Sequence, residues 1–419
     1  MKILILSLIF LFFVVAYGSF LRFLHRSKTD NNKNDHFLKG LKKPDKSNTN
    51  WTVEYLAGSY GYTIETHTVT TSDGYILTLH RIPSGRTTKY KNGKVAFLQH
   101  GILCSAADWI VMGPEKSLAL MLADEGYDVW LGNARGNTWS KKHVSLDTFD
   151  SKYWQFSWHQ IGDIDLPTMI DYVLEQTGVS QVYYVGQSQG TTVYYVMLST
   201  HPEYNSKIKI GASLAPIGFM NHITGPLLRV IALFTKQLNV LGTLIGVDEF
   251  APTSDFLKYI AGDVVCSENS ITQLLCENIL FALCGFDYQQ LNDTLLPLIL
   301  KYLPAGSSTK QLIHYGQEIN SGYFRQYDYG PILNLVYYSS LFPPSYDLSK
   351  IVTPTYLYYS LNDWMSAETD VLRLCKNMGS ACKGTILNNK YKFNHLDYLY
   401  GINATRLINS QVINLFAKQ

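Results

Sequence analysis

From Thr63 the chain alternates apolar and polar positions. Thr63–Val69 and Tyr75–Ile82 flank Ser72-Asp73-Gly74, which predicts a β-hairpin. Five more short runs follow, Val95–Gln99, Tyr127–Leu131, Gln181–Val185, Ile208–Leu214 and Thr355–Tyr359, each apolar or aromatic almost throughout. Segments of helical character at Glu115–Asp124, Asp163–Gln176 and Thr191–Thr200 separate most of them. Strands apolar on both faces and alternating with helices predict an α/β fold, a parallel sheet covered on both sides. The rhythm breaks between Pro216 and Pro344, where amphipathic patterns at Leu227–Gln237, Ile271–Leu283 and Thr294–Tyr302 replace the strands. A helical insertion between two late strands reads as a cap over the sheet's C-terminal edge, where doubly wound folds keep their sites. Helices that pack a cap on a core need apolar faces whatever the substrate, so the pattern permits a lipid-facing lid without establishing one.

Ahead of the hairpin, Lys2 precedes an apolar run from Ile3 to Val15 and small residues at Ala16 and Gly18, the layout of a cleaved secretory leader. A retained anchor is the alternative, because the apolar stretch reaches Phe20 before Arg22, His25, Arg26 and Lys28. The next segment, to Asn50, is polar and basic and cannot bury enough surface to fold alone. The expected organisation is a leader over 1–18, a linker or pro-segment over 19–50, a core over 51–215 and 345–419, and the cap over 216–344. Sequons at Asn50, Asn292 and Asn403 fit a secretory destination.

Composition narrows the function classes. With 46% hydrophobic and 16% charged residues in 419, the chain has ample material for a large core. A net charge of +2, without a basic stripe, gives no footprint for nucleic acid. No histidine and carboxylate cluster has zinc-like spacing and no Gly-rich phosphate loop occurs, so neither metal nor cofactor is expected. Six cysteines are too few for a disulfide scaffold, but Cys375 and Cys382 lie close enough to close a short loop around Gly379. Cys104, among apolar residues, reads as a buried free thiol.

Candidate chemistry gathers around Gly186-Gln187-Ser188-Gln189-Gly190, placed where the Gln181–Val185 strand turns into a helix. That is the context of a nucleophile elbow, whose strained backbone brings strand and helix so close that side chains at Gly186 and Gly190 would clash. A serine hydroxyl needs a base within reach and an acid to orient that base. The chain order of this architecture is Ser, acid, His. His395 follows the last predicted strand, whereas His201, His222 and His314 fall after the elbow helix or in the cap. For the acid, Thr355–Ser360 runs into Leu361-Asn362-Asp363, which favours Asp363. Asp370, in the following helix, reads as a dipole partner, and Asp397 as structural, two residues from the base. Gln189 N–H and Ile102 N–H, the latter freed by Gly101, are the candidate oxyanion donors, and His100 is expected to fix their loop.

With these residues placed, the chain resembles the acid lipase family of α/β-hydrolases, from Trp51 to the C-terminus. The resemblance rests on DGYILTLHRIP (Asp73–Pro83), FLQHGILCSAADWI (Phe97–Ile110), GYDVWLGNARGNTWSKKH (Gly126–His143), FSWHQIGDIDLP (Phe156–Pro167) and GQSQGT (Gly186–Thr191). It implies the α/β-hydrolase fold with a helical lid, Ser188, Asp363 and His395 as the triad, and Gln189 and Ile102 as the oxyanion hole. The family usually has leucine at the Ile102 position, and His159-Gln160-Ile161-Gly162 departs from its acidic pattern before the Asp-Leu-Pro turn. The resemblance also implies a Cys266–Cys276 bridge in the cap with Cys284 free, glycosylation at Asn292, and a return of the cap to the core at PAGSSTKQLIHYGQ (Pro304–Gln317).

The expected activity is therefore hydrolysis of neutral lipid esters, triacylglycerols or sterol esters, through an acyl-enzyme, by a secreted or lysosomal (vacuolar) enzyme that meets its substrate at a lipid–water interface. An esterase or thioesterase for soluble esters would use the same triad, and a lipid-binding module without catalysis would not need it. An acidic optimum follows from the resemblance alone. It conflicts with an ordinary imidazole, mostly protonated near pH 5, unless substrate binding desolvates the site.

Overall fold

The computed structural model describes residues 51–86, 91–233, 235, 248–250, 284–285, 287, 289–292, 294–386 and 391–419. Residues 51–419 form one compact unit. The leader, the polar segment, the Asn50 sequon, Cys266, Cys276 and the helical pattern at Ile271–Leu283 lie outside the described residues, as does the end of the Leu227–Gln237 pattern.

The strands are β1 Glu65–Thr70, β2 Tyr75–Ile82, β3 Val95–Gln99, β4 Asp128–Gly132, the two-residue β5 Lys142–His143, β6 Val182–Gln187, β7 Ile208–Leu214, β8 Glu249–Phe250, β9 Ser307–Ser308, β10 Thr355–Tyr359 and β11 Cys382–Ile386. A nine-stranded sheet runs in the order β1-β2-β4-β3-β6-β7-β10-β11, with β5 beside β2, while β8 and β9 pair apart from it. The contacts β1–β2 and β2–β4 are antiparallel, and those from β4 to β11 are parallel. Central β3 and β6 are buried at every residue, and the edge strand β1 alternates half-buried and exposed, as a strand covered on one face must.

Two apolar clusters occupy the two faces of this sheet. Along β3, Val95 and Phe97 enter one and Ala96 and Leu98 the other, the two-residue period of a strand. The main helices are α1 Val53–Ser59, α2 Leu118–Asp124, α3 Leu166–Thr177, α4 Gln189–Thr200, α5 Pro226–Leu233, α6 Leu296–Tyr302, α7 Thr309–Ser321, α8 Pro331–Tyr338, α9 Glu368–Met378 and α10 Ser410–Ala417. Among the described residues no helix is long and apolar enough to cross a membrane.

An ion cluster, buried at Arg135 and Asp165, locks the β4–α3 connection. Arg135 donates to Asp165 through Nε (2.8 Å) and Nη2 (2.5 Å), and to Asp73 of the hairpin turn through Nη1 (2.6 Å) and Nη2 (3.0 Å). Its guanidinium lies 3.9 Å from the centre of the Tyr75 ring. Just before α3, Ile161–Asp165 forms a π turn, and Gly162 lets it approach α4, since a Cβ there would meet Val196 at 2.6 Å. That is the segment whose sequence departs from the family's acidic pattern.

Candidate active site

The elbow is built by close approach. Ser188 sits between β6 and α4 at φ 52° and ψ −117°, a conformation that non-glycine residues adopt only under constraint. A Cβ on Gly186 would lie 2.6 Å from the Gly190 oxygen, and one on Gly190 would lie 2.1 Å from the Gln99 oxygen. Both positions therefore exclude any side chain, and the serine is held at the strand-to-helix junction by Thr191 and Thr192 N–H groups donating to its carbonyl (2.8 and 3.4 Å).

Ser188 Oγ lies 2.7 Å from His395 Nε2, and His395 Nδ1 lies 2.9 and 3.0 Å from Asp363 Oδ2 and Oδ1. All three side chains are buried. With the proton on Nδ1 shared with the carboxylate, Nε2 is left as the acceptor facing the hydroxyl, which is the arrangement a base needs to draw a proton from Oγ. Asp363 Oδ1 also accepts from Met365 and Ser366 N–H groups, each at 2.9 Å, so the carboxylate is oriented by its own loop. Gln187, one residue before the serine, donates through Nε2 to the His395 carbonyl (3.2 Å).

The other candidates are occupied elsewhere. Asp370 lies in the first turn of α9, where a carboxylate faces the positive end of the helix dipole, and is buried there, accepting from His222 through its N–H (2.8 Å) and Nδ1 (2.7 Å). His314 stacks on Trp158 at 3.7 Å between ring centres, and His201 reaches the backbone and carboxylate of Asp163. Asp397 accepts from Asn394 N–H (2.6 Å), and burial and the neighbouring Asp287 push its carboxyl well up.

On the opposite side of Ser188, Gly101 comes so close that a Cβ would lie 2.6 Å from Gln187 Oε1 and 3.1 Å from Ser188 Cβ. Among the described residues neither the Ile102 nor the Gln189 N–H is hydrogen-bonded to a neighbour. His100 braces this loop: Nδ1 donates to the Gly101 carbonyl (2.7 Å), and Nε2 accepts from Ala134 N–H (3.1 Å). Burial lowers its pKa to about 4, which keeps it neutral and able to accept. Leu103 turns back with φ 62°, and its carbonyl accepts from Ala305 N–H of the Pro304–Gln317 segment (2.6 Å).

One positioning element was not readable in advance. The carbonyl of Cys284 accepts from both Trp364 N–H (3.5 Å) and His395 N–H (3.3 Å), and Gly285 O accepts from Asn394 Nδ2 (3.0 Å). Gly285, at φ 111°, packs so that a Cβ would meet Asn362 O at 2.5 Å. The Cys284-Gly285 pair thus clasps the two loops that carry Asp363 and His395. The sequence offered only a free thiol followed by a glycine there. Cys284 and Cys104 are free and buried, and Cys375 and Cys382 are bonded, joining α9 to β11. Asn292 and Asn403 are half-buried, and the Asn403 amide donates to Gln290 Oε1 (3.2 Å). No group of three or more histidine, cysteine or carboxylate side chains could hold a metal among the described residues.

Comparison with known proteins agrees in kind. A profile described as a partial alpha/beta-hydrolase lipase region matches residues 53–113, and one for the alpha/beta hydrolase fold matches residues 97–251. The chain is 46% identical to Lipase 3 of Drosophila melanogaster over 354 residues, covering 84% of this chain and 89% of the relative. It is 37% identical over 388 residues to the gastric triacylglycerol lipase of Mus musculus, covering 91% and 96%, and 37% identical over 369 residues to lipase member K of Homo sapiens, covering 87% and 90%. Among solved structures, a candidate lipase from Sulfolobus solfataricus superposes with a TM-score of 0.58 at 14% identity, covering 86% of this chain and 95% of that one, a likeness of fold.

Proposed function

The chain belongs to the acid lipase family of α/β-hydrolases and is a carboxylic ester hydrolase of lipid esters; from that premise we propose that Ser188, His395 and Asp363 carry the reaction through an acyl-enzyme. His395 Nε2 takes the Ser188 proton as Oγ bonds to the ester carbonyl carbon. Gln189 and Ile102 N–H groups hold the oxygen that becomes negative, and Asp363 stabilises the imidazolium. The imidazolium then protonates the departing alcohol as the carbon–oxygen bond breaks. A water molecule, deprotonated by the same imidazole, attacks the acyl-enzyme and frees the fatty acid, restoring Ser188. The observation that supports this reading is the 2.7 Å contact of Ser188 Oγ with an imidazole oriented by a buried carboxylate.

The substrate in this reading is a neutral lipid ester presented at an interface, triacylglycerol as in the name of the mouse gastric relative, or a sterol ester. The acidic optimum and the secretory or lysosomal destination implied by the resemblance belong to the same proposal. The test is fatty acid release from emulsified long-chain triacylglycerol across roughly pH 4 to 8, by wild type and Ser188→Ala side by side. Release by the wild type, greatest at acid pH and at least about 10⁴-fold lower in the variant, is the expected result. A folded Ser188→Ala protein that retains activity would overturn the assignment of the nucleophile. Hydrolysis of dissolved esters without any of emulsions would move the enzyme to the soluble-ester class.

A further inference from the structure

Helix α8 has its polarity inside out. In Pro331–Tyr338 the sole fully buried residue is Asn334, and the large apolar side chains face solvent, with Ile332 79%, Val336 72% and Tyr337 61% exposed and Leu333 and Leu335 near half. The buried amide has a complete set of partners: Nδ2 donates to Asp328 Oδ1 (2.8 Å) and the Leu341 carbonyl (3.0 Å), and Oδ1 accepts from Tyr329 N–H (3.0 Å). Tyr338 Oη adds a bond to the Tyr327 carbonyl (2.9 Å). A polar side chain thus anchors the helix, and its apolar ones are free for something else. Beyond the helix the exposed surface continues through Leu341 and Phe342. Single exposed apolar residues are ordinary, but a contiguous set marks an interaction site.

We propose that α8 with Leu341 and Phe342 is the surface by which the enzyme docks on the lipid–water interface. The inference rests on the reading of the protein as a hydrolase of interfacial lipid esters. Two observations favour a lipid surface over a protein partner. First, Gly330–Tyr346 is a stretch of 17 residues without a single charged side chain or histidine, in a chain with 16% charged residues. Of the carboxylates that flank it, Asp328 is taken by Arg325 (3.1 Å) and Asn334 (2.8 Å), and Asp347 accepts from Ser349 through its N–H (3.1 Å) and Oγ (2.5 Å). Such a surface complements an uncharged apolar phase. Second, at about 100° per residue the five exposed side chains from Ile332 to Tyr337 span an arc of about 200°, with Asn334 opposite its centre. A packed protein neighbour takes a stripe of about 100°, whereas a fluid phase can surround a convex helix.

The surface is also tied to the catalytic elbow. Gln317 on α7 donates to Asp328 O (2.9 Å) and accepts from Asp328 N–H (2.9 Å), and two residues earlier on α7 the Tyr315 hydroxyl meets Thr192 Oγ1 (3.0 Å) in the first turn of α4. Docking at α8 would therefore fix the orientation of Ser188 relative to the interface through three short links.

The test is flotation with phosphatidylcholine-stabilised triolein droplets, comparing Ser188→Ala with the same protein carrying Ile332→Asp and Val336→Asp. The paired aspartates should weaken partition at least tenfold. In the active background they should lower emulsion hydrolysis by a similar factor while kcat/KM on a dissolved short-chain ester stays within twofold, which also reports on folding. Unchanged flotation overturns the proposal. So does a wild-type dimer, seen by light scattering, that the aspartates dissociate while flotation persists, since the occupant is then a second copy. Flotation lost on substitution in a protein whose wild type cleaves no ester would leave docking intact and overturn the hydrolase reading instead.

Discussion

Gly190→Ala probes whether the close approach of β3 and α4 sets the catalytic geometry. An ideal Cβ at Gly190 would stand 2.1 Å from the Gln99 oxygen, 2.9 Å from the Gln99 carbon and 3.1 Å from the His100 oxygen, all backbone atoms that cannot swing aside. Real Cβ contacts do not fall below 3.0 Å, so strand and helix must part by roughly 0.9 Å at this point. Movement of the helix carries Ser188, bound to Thr191 and Thr192. Movement of the strand end carries His100 and Gly101, and with them Ile102. Either way the hydroxyl and the Ile102 N–H, the proposed second oxyanion donor, separate by the better part of an ångström. Misplacement on that scale costs on the order of 10²-fold in rate, and the overpacking costs about 1–3 kcal/mol in stability.

The assay is kcat/KM on a dissolved short-chain ester, so that interfacial binding does not enter, with thermal unfolding on the same samples. Gly58→Ala is the control. It lies within helix α1, and its added Cβ would meet nothing within 4 Å, so it should leave activity alone and add about 0.5–1 kcal/mol of stability. A Gly190→Ala enzyme with activity within threefold of wild type would refute the reasoning, because the elbow could then open without penalty.

Arg135→Met should destabilise the fold by about 3–5 kcal/mol, read as a lower urea midpoint, because it strands the fully buried Asp165 carboxylate, and adding Asp165→Asn should restore much of the loss; a loss below 1 kcal/mol would contradict the role assigned to the pair. Burial raises the Asp108 carboxyl to about 6, so between its ordinary 3.8 and that value the folded state binds the proton more tightly and stability falls as pH rises, by an amount on the order of 3 kcal/mol. His100, lowered to about 4 by burial, acts in the opposite sense over about pH 4 to 6.5, where stability falls as pH falls. Asp108→Asn removes the first contribution and should make stability climb with pH across that window more steeply than in wild type; identical slopes from denaturant titrations at each pH would refute the assignment.

What could be read from the sequence was whatever leaves a local pattern. The bounds of β2, β3, β7 and β10 coincide with runs that are apolar or alternating throughout, and β6 runs two residues past the predicted end only because Gly186 and Gln187 pair with Ser213 and Leu214, which propensity alone would not favour. Strand β11, Cys-Lys-Gly-Thr-Ile, was missed because a strand hydrogen-bonded to β10 alone needs no continuous apolar run. That Ser188, Asp363 and His395 come together was legible because chain order and strand ends constrain them. The Arg135 cluster and the Cys284-Gly285 clasp were not, since their partners lie 30 or more positions away and neither carries a periodic signal.

Helix α8 shows the limit of the apolar pattern from the other side. Pro-Ile-Leu-Asn-Leu-Val-Tyr-Tyr would be read as a core helix interrupted by one misplaced asparagine, because burial is the usual fate of such a run. The structure reverses that expectation from Ile332 to Tyr337, where the five apolar side chains are exposed and Asn334 is buried, and the asparagine is what makes the reversal stable. Its amide satisfies an N–H, a carboxylate oxygen and a carbonyl that the turn at Asp328–Gly330 and the chain near Leu341 would otherwise leave without these bonds. Apolar residues could then gather on the outer face without loosening the helix from the core. Hydrophobicity alone predicts that a surface is to be covered, and the polar anchor holds the helix so that none of the described residues covers it.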